Sequence, residues 1–278
     1  MIPRLFVMSV AGVLSVTILS GASNADLLLY EPFSYLGADI TAGGVWTDNV
    51  DLNDPIINNA IGTVGFVTLS GDDTSLDYPG SAATQGSRVA DTGGGTASRA
   101  LGFGMNLAGD NTHYVSMLIR GSGILQFYYG PHTDGQYYMR TALGITGGAF
   151  TVGSNTGRAK SASYSNGTYD SEETYLMVAK IDAHTGSPDE FFLKVYDSTM
   201  TPDLSEPASF DLNATVSSGV NMTYILIGMT GAGQMDEIRV GTTWGDVVAV
   251  PEPSTAALLL AAVLGACGAL RPRGRVTE

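Results

Sequence analysis

Apolar and β-branched residues gather in short runs along this chain, and no stretch of residues 26–249 keeps a helical period. The runs fall at 64–69, 114–120, 124–129, 136–143, 149–152, 174–181, 190–196, 222–229 and 235–240. Glycine, Asn, Asp and Pro separate them, as in Gly121-Ser122-Gly123, Gly147-Gly148 and His184-Thr185-Gly186-Ser187-Pro188. Many short strands joined by such turns predict an antiparallel β-sandwich. In one run Phe191, Leu193 and Val195 alternate with Phe192, Lys194 and Tyr196, which predicts one buried and one partly wet face. TYLMVAKI at 174–181 is apolar on both faces, as expected of a strand whose outer face is also covered. No Pro-rich linker and no fixed-period repeat divides the stretch, so one all-β domain is expected over 26–249.

Two longer apolar runs lie outside it. The first 25 residues hold Arg4, an apolar stretch at 5–19 and then small residues, with Ser23 and Ala25 before Asp26. That order predicts a secretory signal peptide cut between Ala25 and Asp26 by signal peptidase after passage through the secretion translocon, with an uncleaved anchor as the alternative. At the other end, residues 255–270 are apolar and would span ~24 Å as a helix at 1.5 Å per residue. Arg271, Arg273 and Arg275 follow, and such a cluster stays on the cytoplasmic side, leaving the body outside. Pro251 and Pro253 hold an extended backbone just before the apolar run.

Pro251-Glu252-Pro253, the apolar span and the terminal arginines resemble the PEP-CTERM sorting signal of Gram-negative bacteria over residues 250–275. The resemblance implies a single transmembrane helix, recognition of Pro251, Glu252 and Pro253 by a membrane-embedded exosortase, removal of the tail, and delivery to the cell surface or beyond. Less tightly, LLLYEPFSY, LDYPG, HYVSMLIR, ETYLMVAKID with DEFFLKVYD, and MDEIRVGTTWGDV resemble concanavalin A-like or laminin-G-like jelly rolls. That implies two stacked sheets and a concave face often used for carbohydrate, here exopolysaccharide. It does not imply an enzyme.

Charge and chemistry narrow the reading. The chain carries −14 overall, and residues 26–247 hold nine basic against 25 acidic residues, which argues against nucleic acid. Cys267, the only cysteine, lies in the terminal apolar run, so neither a disulfide within the chain nor a thiolate metal cluster can form. Glycosidases need two carboxylates across a sugar. The Glu-x-Asp-x-Glu strand of glycosidases with this fold is absent, and Glu172-Glu173 and Asp236-Glu237 are adjacent pairs that would face opposite ways along a strand. His113, His132 and His184 lie far apart without zinc spacing, and Gly-x-Ser-x-Gly is missing. No catalytic residue and no obligatory cofactor is therefore expected. Candidate calcium ligands are Asp48, Asp51 and Asp54, weighed against the abundance of Asp in ordinary turns. Candidate sugar-stacking residues are Trp46, Tyr128 and Tyr137, weighed against plain cross-strand packing. The expectation is an exported, non-enzymatic surface or matrix protein, with a carbohydrate-binding module as the alternative and a polysaccharide hydrolase disfavoured.

Overall fold

The structure is a computed structural model that describes residues 27–33, 47–48, 68–69, 75–76, 78, 88–90, 95–129, 141–154, 158–216 and 219–248. Within these residues the chain is an antiparallel β-sandwich, built around two strands much longer than the sequence runs suggest. They are β6 (Asn111–Tyr128) and β15 (Asn221–Gly241). Each serves both layers. The first half of β6 pairs with β12 (Thr174–Ala183), and its second half pairs with β7 (Thr141–Thr146). β15 stays paired with β6 through most of its length, from Tyr224↔Tyr128 to Gly241↔Tyr114.

The first sheet continues from β12 to β13 (Asp189–Tyr196) and β14 (Leu212–Val216). On the far side of β15 it adds β1 (Leu27–Glu31), β4 (Val89–Ala90) and β3 (Thr68–Leu69). The second sheet runs from β7 to β8 (Ala149–Ser154) and β9 (Ala159–Ser161), and through β15 to β5 (Gly95–Asn106) and β2 (Thr47–Asp48). A small hairpin, β10 (Ser163–Tyr164) with β11 (Gly167–Thr168), follows β9. A five-residue helix, α1 (Trp244–Val248), closes the described chain.

Gly121-Ser122-Gly123 is not the expected turn between two strands. It is a corner within one strand, where Gly121 takes φ +72° and the backbone bends from one sheet into the other. The runs at 222–229 and 235–240 are likewise one strand, bent where its register against β6 shifts between Thr230 and Gln234. Strands that change sheets at bulges are how one hydrogen-bonded surface folds over on itself into two layers. The corner is tight: a Cβ on Gly121 would sit 3.1 Å from the Ala232 carbonyl oxygen and 3.1 Å from the Gly233 Cα. Gly147-Gly148 does form the expected turn. With φ +59° and +72° it joins Thr146 to Ala149 as a two-residue hairpin loop.

The core lies between the layers. Val115, Met117 and Ile119 of β6 face it from the first sheet, and Leu125 and Phe127 of the same strand from the second. Tyr175, Met177, Ala179 and Ile181 of β12 join Phe191, Leu193 and Val195 of β13 there, while Phe192 and Lys194 are half-buried. The opposite side of β12 is covered as well. Leu176 and Val178 pack with Tyr114, Leu118, Leu76, Tyr78 and the α1 residues Trp244, Val247 and Val248. Ser116 Oγ–H donates to the Val247 carbonyl at 2.7 Å, and Trp244 Nε1–H to the Asp203 carbonyl at 2.9 Å.

Asp236 and Glu237 are structural. Asp236 is fully buried, and its two carboxylate oxygens accept from Leu76 N (2.9 Å) and Glu237 N (2.8 Å), tying the 75–76 segment to β15. Glu237 sits in a bulge between Asp236 and Arg239 with φ +52°, a conformation that costs a non-glycine residue about 1–3 kcal/mol. Tyr30 O–H (2.9 Å) and Arg239 (3.1 Å) hold its carboxylate, while Glu31 beside them pairs with Arg99 and accepts from Phe33 N. This network joins β1, β5 and β15. No helix among the described residues is long and apolar enough to cross a membrane; the expected span at 255–270, like the leader at 1–25, lies outside them.

Gly121→Ala is expected to destabilise the fold by about 1–3 kcal/mol, through both its φ and the close backbone opposite, read as a fall of several degrees in Tm. Burial, and then the neighbouring Glu237, raise the Asp236 carboxyl to about 7. The folded chain therefore keeps a proton that the unfolded chain has already released, and stability falls as pH rises from the ordinary carboxylate range through about 7. Denaturation midpoints at pH 5 and pH 8 should differ more in the wild type than in Asp236→Asn. Equal differences would refute the assignment.

Candidate ligand cleft at the sheet corner

The bend that makes the sandwich also leaves a cleft of about 340 Å³ on the outer side of the first sheet. Arg120 is the last residue of β6 before the corner, and Gln234 is the first residue of β15 to re-pair with β6 after its own bend. The two stand directly opposite each other, so their side chains share a face. Ser122 and the Gly121 and Ala232 backbone form the corner itself. The third wall is the segment between β11 and β12, which contributes Tyr169, Ser171 and Glu172.

That wall is pinned by its own hydrogen bonds. Asp170 N–H donates to Tyr175 Oη at 2.8 Å, and Glu172 N–H to Asp170 Oδ1 at 2.9 Å. Glu173 reaches away to accept from Ser198 N (3.0 Å) and Ser198 Oγ (2.6 Å). Tyr169 stacks on Tyr175 with centroids 6.2 Å apart and meets Phe150 edge-on at 5.8 Å, which fixes its ring at the cleft. Arg120 Nη2 donates to Glu172 Oε2 at 2.7 Å, and Glu172 is 79% exposed. Gln234 Oε1 is buried with no hydrogen-bond partner. The cleft thus offers a cationic donor, a carboxylate acceptor, two hydroxyls, an unused amide oxygen and an aromatic ring.

Tyr128 is buried rather than presented to solvent. Its ring stacks on Tyr224 across the β6–β15 ladder, with centroids 5.3 Å apart and planes 19° apart. Beside it on the same face Gln126 is fully buried, and neither amide atom has a partner. Asp48 pairs with Ala97 at the end of the second sheet. Trp46, Tyr137, Asp51, Asp54, Ala25, Asp26, Pro251, Glu252, Pro253, Arg271, Arg273 and Arg275 lie outside the described residues. Among the described residues no group of three or more His, Cys, Asp or Glu gathers as a metal site. His113 is buried at the start of β6, where burial lowers its pKa, and His184 lies 3.6 Å from Glu190 at the β12–β13 turn.

Sequence reasoning missed the cleft because Arg120 and Gln234 are 114 positions apart. One signal was present. The inward positions 115, 117 and 119 continue in phase to 125 and 127, as a bent strand requires.

No family model matches the sequence, and no curated protein matches it. Solved structures do show likeness. A carbohydrate esterase from the Shiga toxin-encoding bacteriophage phi24B is 10% identical at a TM-score of 0.42, over 79% of this chain and 99% of that one. A protein of unknown function from Shewanella oneidensis MR-1 is 11% identical at 0.25, over 72% and 86%. An alginate lyase from Alteromonas sp. 272 is 10% identical at 0.24, over 73% and 93%. At such scores no residue and no activity transfers from them to this chain.

Proposed function

We propose that this chain is an exported surface or matrix protein, delivered through the translocon and signal peptidase, tethered briefly by its tail, and sorted by an exosortase-type enzyme. Its body is a concanavalin A-like jelly roll with an interaction role and no bond-breaking one. The pairing of the first described strand with the last supports a single body between leader and tail. β1 pairs with the end of β15, so the two boundaries of the body lie side by side.

One observation carries the non-catalytic reading. Among the described residues the corner cleft contains donors, acceptors and a ring but a single carboxylate, Glu172, and that one is tied to Arg120. Hydrolysis of a glycosidic bond asks for two carboxylates flanking it. The same lining favours the second reading, a carbohydrate-binding role in the secreted matrix: a ring beside hydroxyl, amide and ion-pair groups matches a ligand with an apolar face and many hydroxyls. No nucleic-acid partner is proposed, given the acidic body.

Mass spectrometry of the protein from its native envelope should find Asp26 at the start and loss of everything after the Pro251–Pro253 region. A mature pool ending at Glu278 would overturn the sorting reading. Incubation with polysaccharides should release no reducing ends; release abolished by Glu172→Gln would overturn the non-catalytic one.

A further inference from the structure

We propose that the corner cleft binds one ring of a neutral saccharide and rejects acidic ones. The inference rests on the carbohydrate-binding reading above and names the ligand class and its contacts. Arg120 and Glu172 form a donor beside an acceptor, 2.7 Å apart. Vicinal ring hydroxyls, each both donor and acceptor, can bridge such a pair without breaking it. Because Arg120 is half-buried and Glu172 exposed, solvent already screens the pair, and sharing it with hydroxyls costs little.

Gln234 supplies the second argument. Its amide borders the cleft, and Oε1, buried and without a donor, gains a hydrogen bond once the side chain turns toward a ligand hydroxyl. Ser171 adds a hydroxyl, while Ser122 Oγ–H donates to the Ile145 carbonyl at 3.1 Å and leaves its oxygen as an acceptor. Tyr169, held by Tyr175 and Phe150, gives an apolar surface for the C–H face of a ring. A volume of about 340 Å³ suits a small ligand rather than a long chain bound along its length.

Charge decides between neutral and acidic sugars. Among the described residues Arg120 is the one cation lining the cleft, and Glu172 already accompanies it. Around them the body carries about −16 over residues 26–247, a field that lowers the local concentration of polyanions. A uronate would have to displace Glu172 from Arg120 against that field.

The test is calorimetric titration of the mature protein with neutral gluco-, galacto- and manno-oligosaccharides and, in parallel, uronic-acid oligosaccharides. A neutral series is expected to bind, with uronates at least tenfold weaker at low salt. Tyr169→Ala and Gln234→Leu should each weaken neutral binding about tenfold, which corresponds to the loss of one ring contact or one buried hydrogen bond. Tyr129→Ala, exposed and away from the cleft, should leave it unchanged. If the corner variants melt early, Ser171→Ala, whose side chain is exposed, must still reduce affinity several-fold. Tighter binding of uronates would overturn the neutral assignment. Neutral binding untouched by every cleft variant would overturn the site while leaving the carbohydrate reading intact. Silence with every oligosaccharide would overturn both.

Discussion

Two neighbouring strands that stay hydrogen-bonded to each other must bend together, and that constraint governs this molecule. β6 and β15 are paired before and after the corner, so a bend in one without the other would strip a row of backbone hydrogen bonds from the centre of both sheets. The space at the bend is only backbone wide: Gly121 lies against the Ala232 carbonyl and Gly233. Side chains are excluded at the point of contact, and the two layers close over a single core because of it.

The corner also explains where polar chemistry can gather. Along the flat parts of β6, outward positions such as Tyr114, Ser116 and Leu118 are covered by α1, Leu76 and Tyr78. Among the described residues, that cover ends at the bend, where Arg120, Ser122 and Gln234 border the cleft instead. The stability of the sandwich and the presence of a cleft are thus two results of one backbone feature.

The buried charges belong to the fold rather than to the cleft. Asp236, Glu237, Arg239, Glu31 and Arg99 lie on or beside the ladder that joins the first strand to the last, and each of these carboxylates accepts a hydrogen bond. Removing one partner from such a set leaves another buried and unpaired, which costs more than the pair contributes. Their side-by-side occurrence in the sequence, which invites a catalytic reading, reflects a bulge that lets Asp236 reach the 75–76 segment while Glu237 reaches Tyr30.

Local pattern alone determined that the body is all-β and antiparallel, that β12 is covered on both faces and β13 less so, and that Gly147-Gly148 turns a hairpin. Side-chain alternation and turn chemistry act over a few residues and are written in the chain directly. β5, with the sequence GTASRALGFGMN, was not legible, because small and glycine-rich residues leave little alternation to read; its place beside β15 comes from tertiary pairing. Whether Gly121-Ser122-Gly123 reverses the chain or merely bends it was likewise decided only by the folded molecule. A left-handed glycine suits both, and the choice depends on a partner strand more than a hundred residues away that bends at the same point. The cleft follows from that choice, since no local rule brings Arg120, Tyr169 and Gln234 together.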